Sequence, residues 1–377
     1  MRIAIISPWN PWPVDSGSRQ RADLIIRGLA QRHDVFVIYG LQNPVHGIPA
    51  LKYAPPDVTQ FQTFRWPRGE TTIDVPRKTT LDIRPRDIQR MQAFIPELVA
   101  PLNTFNPDVI LALEADGALI ATSQTSTDTF PLVVDQWEPS RIVESRILTR
   151  LRSVMFWREV MRHATAITVV TDEEKLAGEK VVGAGSKFHV VANEASRIAG
   201  YVRQPAGRSI LFVGNLDYQP NRDGILWFIA HVLPTIQKEM SGVQLEIVGN
   251  GAALCPDGLP MGVTQRGWVD NISASYSNAC IAINPVRSGH GSRVKNQCAI
   301  VHAVPLVTFP DGITVPSSAG VQYIHDDASA ASAFAAACVS LLKSPPDIPL
   351  PVCNQASETT LVRSLEALLL QTKELRS

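Results

Sequence analysis

The chain has 377 residues, of which 45% are apolar and 19% charged, and its 35 basic side chains are matched by 35 acidic ones. That length suits two domains with full cores, and zero net charge excludes nucleic-acid binding carried by bulk charge, although not a local basic patch. The five cysteines (Cys255, Cys280, Cys298, Cys338, Cys353) are scattered and form no Cys-x-x-Cys pair, which argues against a disulfide framework or zinc site and for reduced thiols in a cytoplasmic protein. Met1 to Ile6 is too short for a signal-peptide core, and no apolar run approaches the roughly 20 residues of a membrane span.

Ile3 to Ile6 reads as a buried strand, and Ser7 to Ser18 as a loop rich in Pro, Trp and Gly. Arg19 to Arg32 reads as a helix with Leu24, Ile25, Gly28 and Leu29 on one face, and Val35 to Tyr39 as the next strand. This β-α-β opening predicts a parallel sheet with the loop at its carboxyl edge, where ligands bind. The full Gly-x-Gly-x-x-Gly fingerprint is absent, which weighs against a dinucleotide. Leu41 to Arg90 is proline-rich and irregular, with a strand near Gln60 to Trp66. Gly69 to Arg86 fits a mobile insertion. After a helix over Asp87 to Leu102, the strands Pro107 to Glu114 and Pro131 to Glu138 place Glu114, Asp135 and Glu138 at one sheet edge. One strand-end acid usually caps the next helix, whereas three together make a candidate site. Arg141 to His163 is helical and carries six arginines. Read plainly it is a solvated amphipathic helix; read more sharply it meets anionic lipid or a lipid diphosphate. A strand (Ala164 to Thr171), a helix from Asp172 and a short strand (Phe188 to Asn193) complete this half.

Glu194 to Arg208 reads as a linker with a boundary near Pro205, giving domains 1–204 and 205–356 and a last helix at 357–377. Strands at Ser209 to Asn215, Val243 to Gly249, Val263 to Val269 and Ala279 to Ile283 alternate with helices at Arg222 to Gln237 and Ile272 to Cys280. Asn284 to Lys295 then joins a strand to the helix Val294 to Val301. Gly289 and Gly291 allow a tight turn and close approach of a ligand. Ser292 is a good N-cap that leaves backbone N–H groups pointing into the loop. Arg293 and Lys295 place two cations at a helix start whose dipole end is already positive, a conflict relieved by a bound anion. A phosphate or diphosphate is the natural guest; the plain alternative is an ordinary loop before a solvated basic helix start. An alanine-rich helix (Ala330 to Leu342), a Pro345 to Pro351 spacer and an amphipathic helix (Ser357 to Leu375) follow.

Asn284 to Lys295, followed by Ala303-Val304-Pro305-Leu306-Val307-Thr308, resembles the donor-binding signature of the group 1 glycosyltransferases, the retaining enzymes of the GT-B fold. Phe212 to Asn221 resembles that family's Phe-x-Gly-x-Leu-x-Tyr-x-Pro-Asn loop, Gly267 to Asp270 its Gly-Phe-Val-Asp, and Asp15 to Ser18 its first loop. The resemblance implies two doubly wound, Rossmann-like α/β domains facing a cleft, with the last helix crossing back to the first domain. It implies a hexosyltransferase of polysaccharide biosynthesis that moves a hexose from a nucleotide sugar, UDP-linked by first expectation, to a saccharide or lipid-linked acceptor. No metal or other cofactor is expected, and no Asp-x-Asp pair ends a strand. On this reading Gly17, Ser18, Gly214, Asn215, Trp268, Val269, Ser288, Gly289, His290, Gly291, Ser292, Arg293 and Lys295 bind the donor. Arg293 and Lys295 stabilise the leaving diphosphate, and Glu138 joins them as a catalytic candidate. Asp15, Glu114, Asp135 and Glu138 lie on the acceptor side. The expected location is cytoplasmic, with the basic helix as a peripheral contact to the inner membrane face.

The chain departs from the family pattern at five positions. Trp137 stands at the His of an Asp-x-His-Asp-like stretch, Asn215 replaces a basic residue, and Arg222 only roughly replaces a second. His290 and Cys298 replace two acids that have seven residues between them. Two other readings therefore stay open: a nucleotide-sugar 2-epimerase of the same fold, and a non-catalytic nucleotide-sugar-binding subunit.

Overall fold

The computed structural model describes residues 1–12, 14, 16–41, 58, 60–65, 95–124, 130–135, 138–143, 147–183, 187–195, 200–256, 258–287, 294–310, 320–350 and 359–375. The chain divides into two compact units, one of Met1–Val14, Arg21–Asn193 and Gln355–Ser377, the other of Asp15–Gln20 and Glu194–Asn354.

The first unit is built on a parallel seven-stranded sheet, β1 (Arg2–Ser7), β2 (Asp34–Leu41), β3 (Gln60–Arg65), β4 (Val109–Leu113), β5 (Leu132–Asp135), β6 (Ala166–Val169) and β7 (Phe188–Val190), in the order β3-β2-β1-β4-β5-β6-β7. Strands such as Ile3-Ala4-Ile5-Ile6 are buried along their whole length, as expected of a sheet covered on both faces. Trp12 fills the space between Tyr39 and Phe61 edge-on and donates its indole N–H to Asp23 at 2.7 Å. Helices α1 (Gly17–Ala30), α2 (Ile95–Phe105), α3 (Glu114–Gln124), α4 (Ser140–Val143), α5 (Ile147–Arg162) and α6 (Asp172–Val182) make the crossovers.

The second unit has a parallel six-stranded sheet, β8 (Arg208–Val213), β9 (Val243–Val248), β10 (Val263–Gly267), β11 (Ile281–Asn284), β12 (Leu306–Thr308) and β13 (Val321–Tyr323), ordered β10-β9-β8-β11-β12-β13. Its helices are α7 (Gln219–Trp227), α8 (Leu233–Glu239), α9 (Ile272–Asn278), α10 (Val294–Val301) and α11 (Ala330–Lys343). The fold is thus two Rossmann-like α/β units. The last helix, α12 (Thr360–Glu374), belongs to the first unit. It is capped by the Thr359 hydroxyl and buries Leu361, Val362, Leu365, Leu368 and Leu369 against a cluster that includes Ile3, Ile5 and Ile25. Glu366 pairs with Arg32 at 2.6 Å and His33 at 2.7 Å, and Lys373 with Asp108 at 3.1 Å.

Several boundaries differ from the sequence reading. Helix α1 starts at Gly17, so Gly17 and Ser18 are helical rather than part of a loop; the Ser16 hydroxyl accepts from Arg19 N–H at 3.4 Å and extends the helix backwards. The helix expected over Arg222 to Gln237 begins at Gln219 and passes through a π turn, Phe228–Val232, in which Leu233 N–H reaches Phe228 O. Pro234 follows and has no N–H to continue the regular ladder. Strand β13 is only three residues long, too short to show a period in the sequence. The arginine-rich helix is represented by two segments, α4 and α5. Gly69 to Arg86 and the start of the helix expected from Asp87 lie outside the described residues.

Candidate functional site

In the second unit the strand order reverses between β8 and β11, which are neighbours although three positions apart in sequence. Crevices for ligands form at the carboxyl ends of strands at such a point. The carboxyl ends here are Gly214, directly after β8, and Asn284, the last residue of β11.

Lys295, in the first turn of α10, points its ammonium at this junction. Its Nζ donates to Asn221 Oδ1 at 2.5 Å and lies 4.8 Å from the centre of the Phe212 ring. Asn221 in turn donates from Nδ2 to the Asn215 carbonyl at 2.8 Å. Asn221 is neutral, so it orients the ammonium without cancelling its charge. Gly214 leaves the room for this arrangement, because a Cβ there would stand 2.9 Å from Asn221 Nδ2 and 3.1 Å from Lys295 Nζ. Gly249, at φ +137°, passes so close that a side chain would strike the Gly214 carbonyl. The result is a lysine ammonium held by a neutral amide beside a glycine strand end, at a strand-to-helix junction.

A buried polar chain supports the junction from below. Asn284 Nδ2 donates to Asn296 Oδ1 at 2.8 Å, Asn296 Nδ2 to Thr308 Oγ1 at 3.4 Å, and the Thr308 hydroxyl to Phe309 O at 3.0 Å. Asn284, Asn296 and Thr308 are all buried. In a sheet core such groups need partners, and these tie the ends of β11 and β12 to α10. Arg287 sits over the Trp227 ring, its guanidinium carbon 4.0 Å from the ring centre, and pairs with Asp326 at 3.0 Å. Between Arg287 and Val294, the expected site residues Ser288, Gly289, His290, Gly291, Ser292 and Arg293 lie outside the described residues, as do Asp15 and Trp137.

Around this centre, Trp268 and Val269 follow directly on β10 and are half-buried. Gly267, at φ +74°, turns the chain there, and its carbonyl accepts from Gly249 N–H at 2.8 Å. Gly17 packs against Val294, its added Cβ falling 3.3 Å from Val294 Cγ2. Cys298, at the place of a family acid, is buried; its sulfur accepts from the Gln20 amide at 3.5 Å, and burial pushes the thiol up to about 11. It is a neutral contact and supplies no charge. Arg222 turns to the carbonyls of Ala253 at 2.8 Å and of Ala252 and Leu254 at 3.3 Å. It therefore braces the loop after β9 rather than standing in for a diphosphate ligand.

In the first unit the three strand-end acids have different surroundings. Asp135 and Arg21 are each only 1% exposed and form a two-pronged pair with both contacts at 2.8 Å. Thr168 also donates to Asp135 at 2.7 Å, and the remaining Arg21 nitrogen donates to Asn193 Oδ1 at 2.8 Å and to the Val191 carbonyl at 3.0 Å. This carboxylate is occupied inside the core. Glu138 is half-buried just ahead of α4. Glu114 opens α3 at φ +58°, and its Oε2 accepts from the Trp9 indole N–H at 3.1 Å. Asp116, two residues on, was not singled out by the sequence reading. Burial, with Glu114 nearby, pushes its carboxyl up to about 7. The Glu-x-Asp spacing was visible at the strand end; the burial was not. Arg21 was also missed, because a lone arginine on a helix face reads as solvated.

Among the described residues no group of three or more His, Cys, Asp or Glu is placed to hold a metal ion, and no helix is long and apolar enough to cross a membrane.

Comparison with known proteins bears on the second unit most directly. The sequence profile of "Glycosyl transferases group 1" matches residues 207–344. An uncharacterized 44.6 kDa protein in the cps region of Klebsiella pneumoniae is 30% identical over 114 residues; the match spans 28% of this chain and 29% of that protein. Among solved structures, sucrose-phosphate synthase from Thermosynechococcus elongatus superposes with a TM-score of 0.67 at 16% identity, covering 100% of this chain and 98% of that one. HepE of Anabaena, in complex with UDP and glucose, superposes with a TM-score of 0.66 at 12% identity, covering 98% and 100%.

Proposed function

Residues 207–344 form a domain that belongs to the group 1 glycosyl transferases, and from that premise we propose that the chain moves a hexose from a nucleotide sugar to a saccharide or lipid-linked acceptor. The observation that carries this reading is the junction of Gly214, Asn221 and Lys295 at the switch point of the second sheet, inside the segment that matches the family. A nucleoside diphosphate leaving group gains negative charge as the bond to the sugar breaks. Lys295, the N-terminus of α10 and Arg293 of the same sequence motif supply positive potential where that charge develops. Trp268 and Val269 flank the nucleobase, and Gly17, Ser18, Asn215 and residues 288–292 complete the donor side. UDP is the favoured nucleotide, supported by its presence with glucose in HepE.

Transfer proceeds with retention. The bond from the sugar anomeric carbon to the phosphate oxygen breaks, the bond to the acceptor oxygen forms on the same face, and the acceptor proton passes to the departing phosphate. No metal is required for this arrangement. Glu138 and Glu114 stand on the acceptor side. Asp135 contributes there indirectly, through the buried pair that holds Arg21 to the sheet. The cps-region relative supports a role in polysaccharide assembly. Met155, 75% exposed on α5, together with the exposed Arg158 and Arg162, supports peripheral contact with an anionic membrane. Failure to float with anionic vesicles at low salt would remove that part.

The transferase reading is tested by release of UDP from UDP-glucose in the presence of saccharide acceptors. Lys295→Ala and Arg293→Ala are each expected to lower kcat by about 100-fold or more, the scale of one transition-state donor. Near-normal turnover in either variant contradicts the assignment. Conversion of a UDP-sugar to its 2-epimer with the UDP linkage intact would favour an epimerase instead.

A further inference from the structure

The first unit has a switch point of its own. Strand order reverses between β1 and β4, so the chain leaving β1 at Ser7 and the start of α3 at Glu114 emerge side by side. The two are packed tightly: a Cβ on Gly117 would stand 2.9 Å from Ile6 O and 3.6 Å from Pro8 Cδ. The Ser7 hydroxyl donates to the Trp9 carbonyl at 2.5 Å, and the Trp9 indole N–H donates to Glu114 at 3.1 Å. The indole fixes one carboxyl group of the Glu-x-Asp pair. The other is left open, because Asp116 Oδ1 is shielded from solvent yet has no hydrogen-bond partner among the described residues. A buried carboxyl oxygen without a partner is rare and calls for a missing group.

We propose that Glu114 and Asp116 form one acceptor-hydroxyl subsite, in which Asp116 donates a hydrogen bond to a substrate oxygen and Glu114 accepts one from a substrate hydroxyl. This rests on the transferase reading, which requires an acceptor. The donor role of Asp116 follows from its surroundings: burial first, and the charge of Glu114 second, favour its protonated form near neutrality. A donor beside an acceptor matches a sugar, whose hydroxyls each do both. A phosphate or carboxylate at the same place would be repelled by Glu114, so the subsite takes the saccharide part of an acceptor and not an anionic headgroup.

The test uses the full chain, UDP-glucose as donor and a set of p-nitrophenyl hexosides as acceptors, with the UDP-induced rise in melting temperature measured alongside. Asp116→Ala and Glu114→Ala are expected to raise the acceptor KM about tenfold, with kcat and the UDP effect within about twofold. Asp116→Asn, which keeps an N–H donor, should stay within about threefold of the parent KM. Where an alanine variant does not fold, Glu114→Gln carries the test; it replaces one accepting oxygen by an NH2 and should raise KM about fivefold. An unchanged acceptor KM in Asp116→Ala or Glu114→Gln overturns the subsite. So does the absence of transfer to every hexoside by a protein that UDP stabilises, while the donor site then stands. Absence of any UDP effect would overturn the donor reading, and the subsite with it.

Discussion

Asp135→Ala separates a structural acid from one that meets substrate. In the wild type the Arg21 guanidinium is enclosed: Nε and one terminal nitrogen donate to Asp135 at 2.8 Å, the other to Asn193 and the backbone of Val191 and Ala192. Removing the carboxylate leaves a guanidinium that is 1% exposed without its countercharge and takes an acceptor from Thr168. Breaking one side of such a buried pair costs roughly 3–5 kcal/mol. For a unit of this size each kcal/mol lowers Tm by about 2–4 °C, so a fall of roughly 6–20 °C is expected. Because the chain has two units, urea unfolding should be followed with probes in each, and the loss should appear in the transition of the first. Replacing both partners by apolar residues (Arg21→Met with Asp135→Leu) should recover much of the loss, since the penalty comes from the uncompensated charge. The reasoning is refuted if Asp135→Ala unfolds within about 1 kcal/mol of wild type while losing transfer activity, which would place Asp135 on the substrate.

Three further outcomes are expected. Gly214→Ala should weaken UDP binding at least tenfold by calorimetry, because its methyl would lie 2.9 Å from Asn221 and 3.1 Å from Lys295 and must displace one of them; wild-type affinity would contradict it. Arg222→Ala should lower Tm while leaving UDP affinity within about threefold, as its three carbonyl partners belong to the loop after β9; a large affinity loss would return it to the diphosphate site. Asp116 holds its proton to about pH 7 when folded, against an ordinary carboxyl value of 3.8. The native state is then the proton-richer one between those values, so stability falls as pH rises from about 4 to 7, by at most ~1.4 kcal/mol per pH unit from this group. Asp116→Asn should flatten that part of a denaturant-derived stability curve, and an unchanged slope would contradict the burial.

Much of the fold is legible in the chain because both sheets are parallel and covered on both faces. Runs such as Ile3 to Ile6 and Val109 to Leu113 need no alternation to be read as strands, and all of these residues are buried. Helix α12 is legible from the spacing of Leu361, Leu365, Leu368 and Leu369. What stays hidden depends on partners distant in sequence. Arg21 and Asp135 are 114 residues apart, and no local pattern distinguishes their pair from two solvated charges. Cys298 reads as a lost acid, whereas its contact with Gln20 exists only in the folded chain. Lys295 reads as a candidate phosphate ligand from its place at a helix start, yet Asn221, which accepts from its ammonium, reads only as part of a family loop. The boundary errors at Gly17 and Gln219 have a local cause, since serine, proline and glycine serve first helical turns as readily as loops.

The most direct test of the central claim is the melting temperature of the wild-type chain and Lys295→Ala in a panel of nucleoside diphosphates and nucleotide sugars, with and without EDTA. A ligand that binds only the folded state at 100 times its Kd adds about 2.7 kcal/mol of stability. The account predicts that UDP and a UDP-hexose raise the wild-type Tm equally with and without EDTA, and that the rise disappears in Lys295→Ala. No stabilisation by any nucleotide, or an undiminished rise in Lys295→Ala, would contradict it.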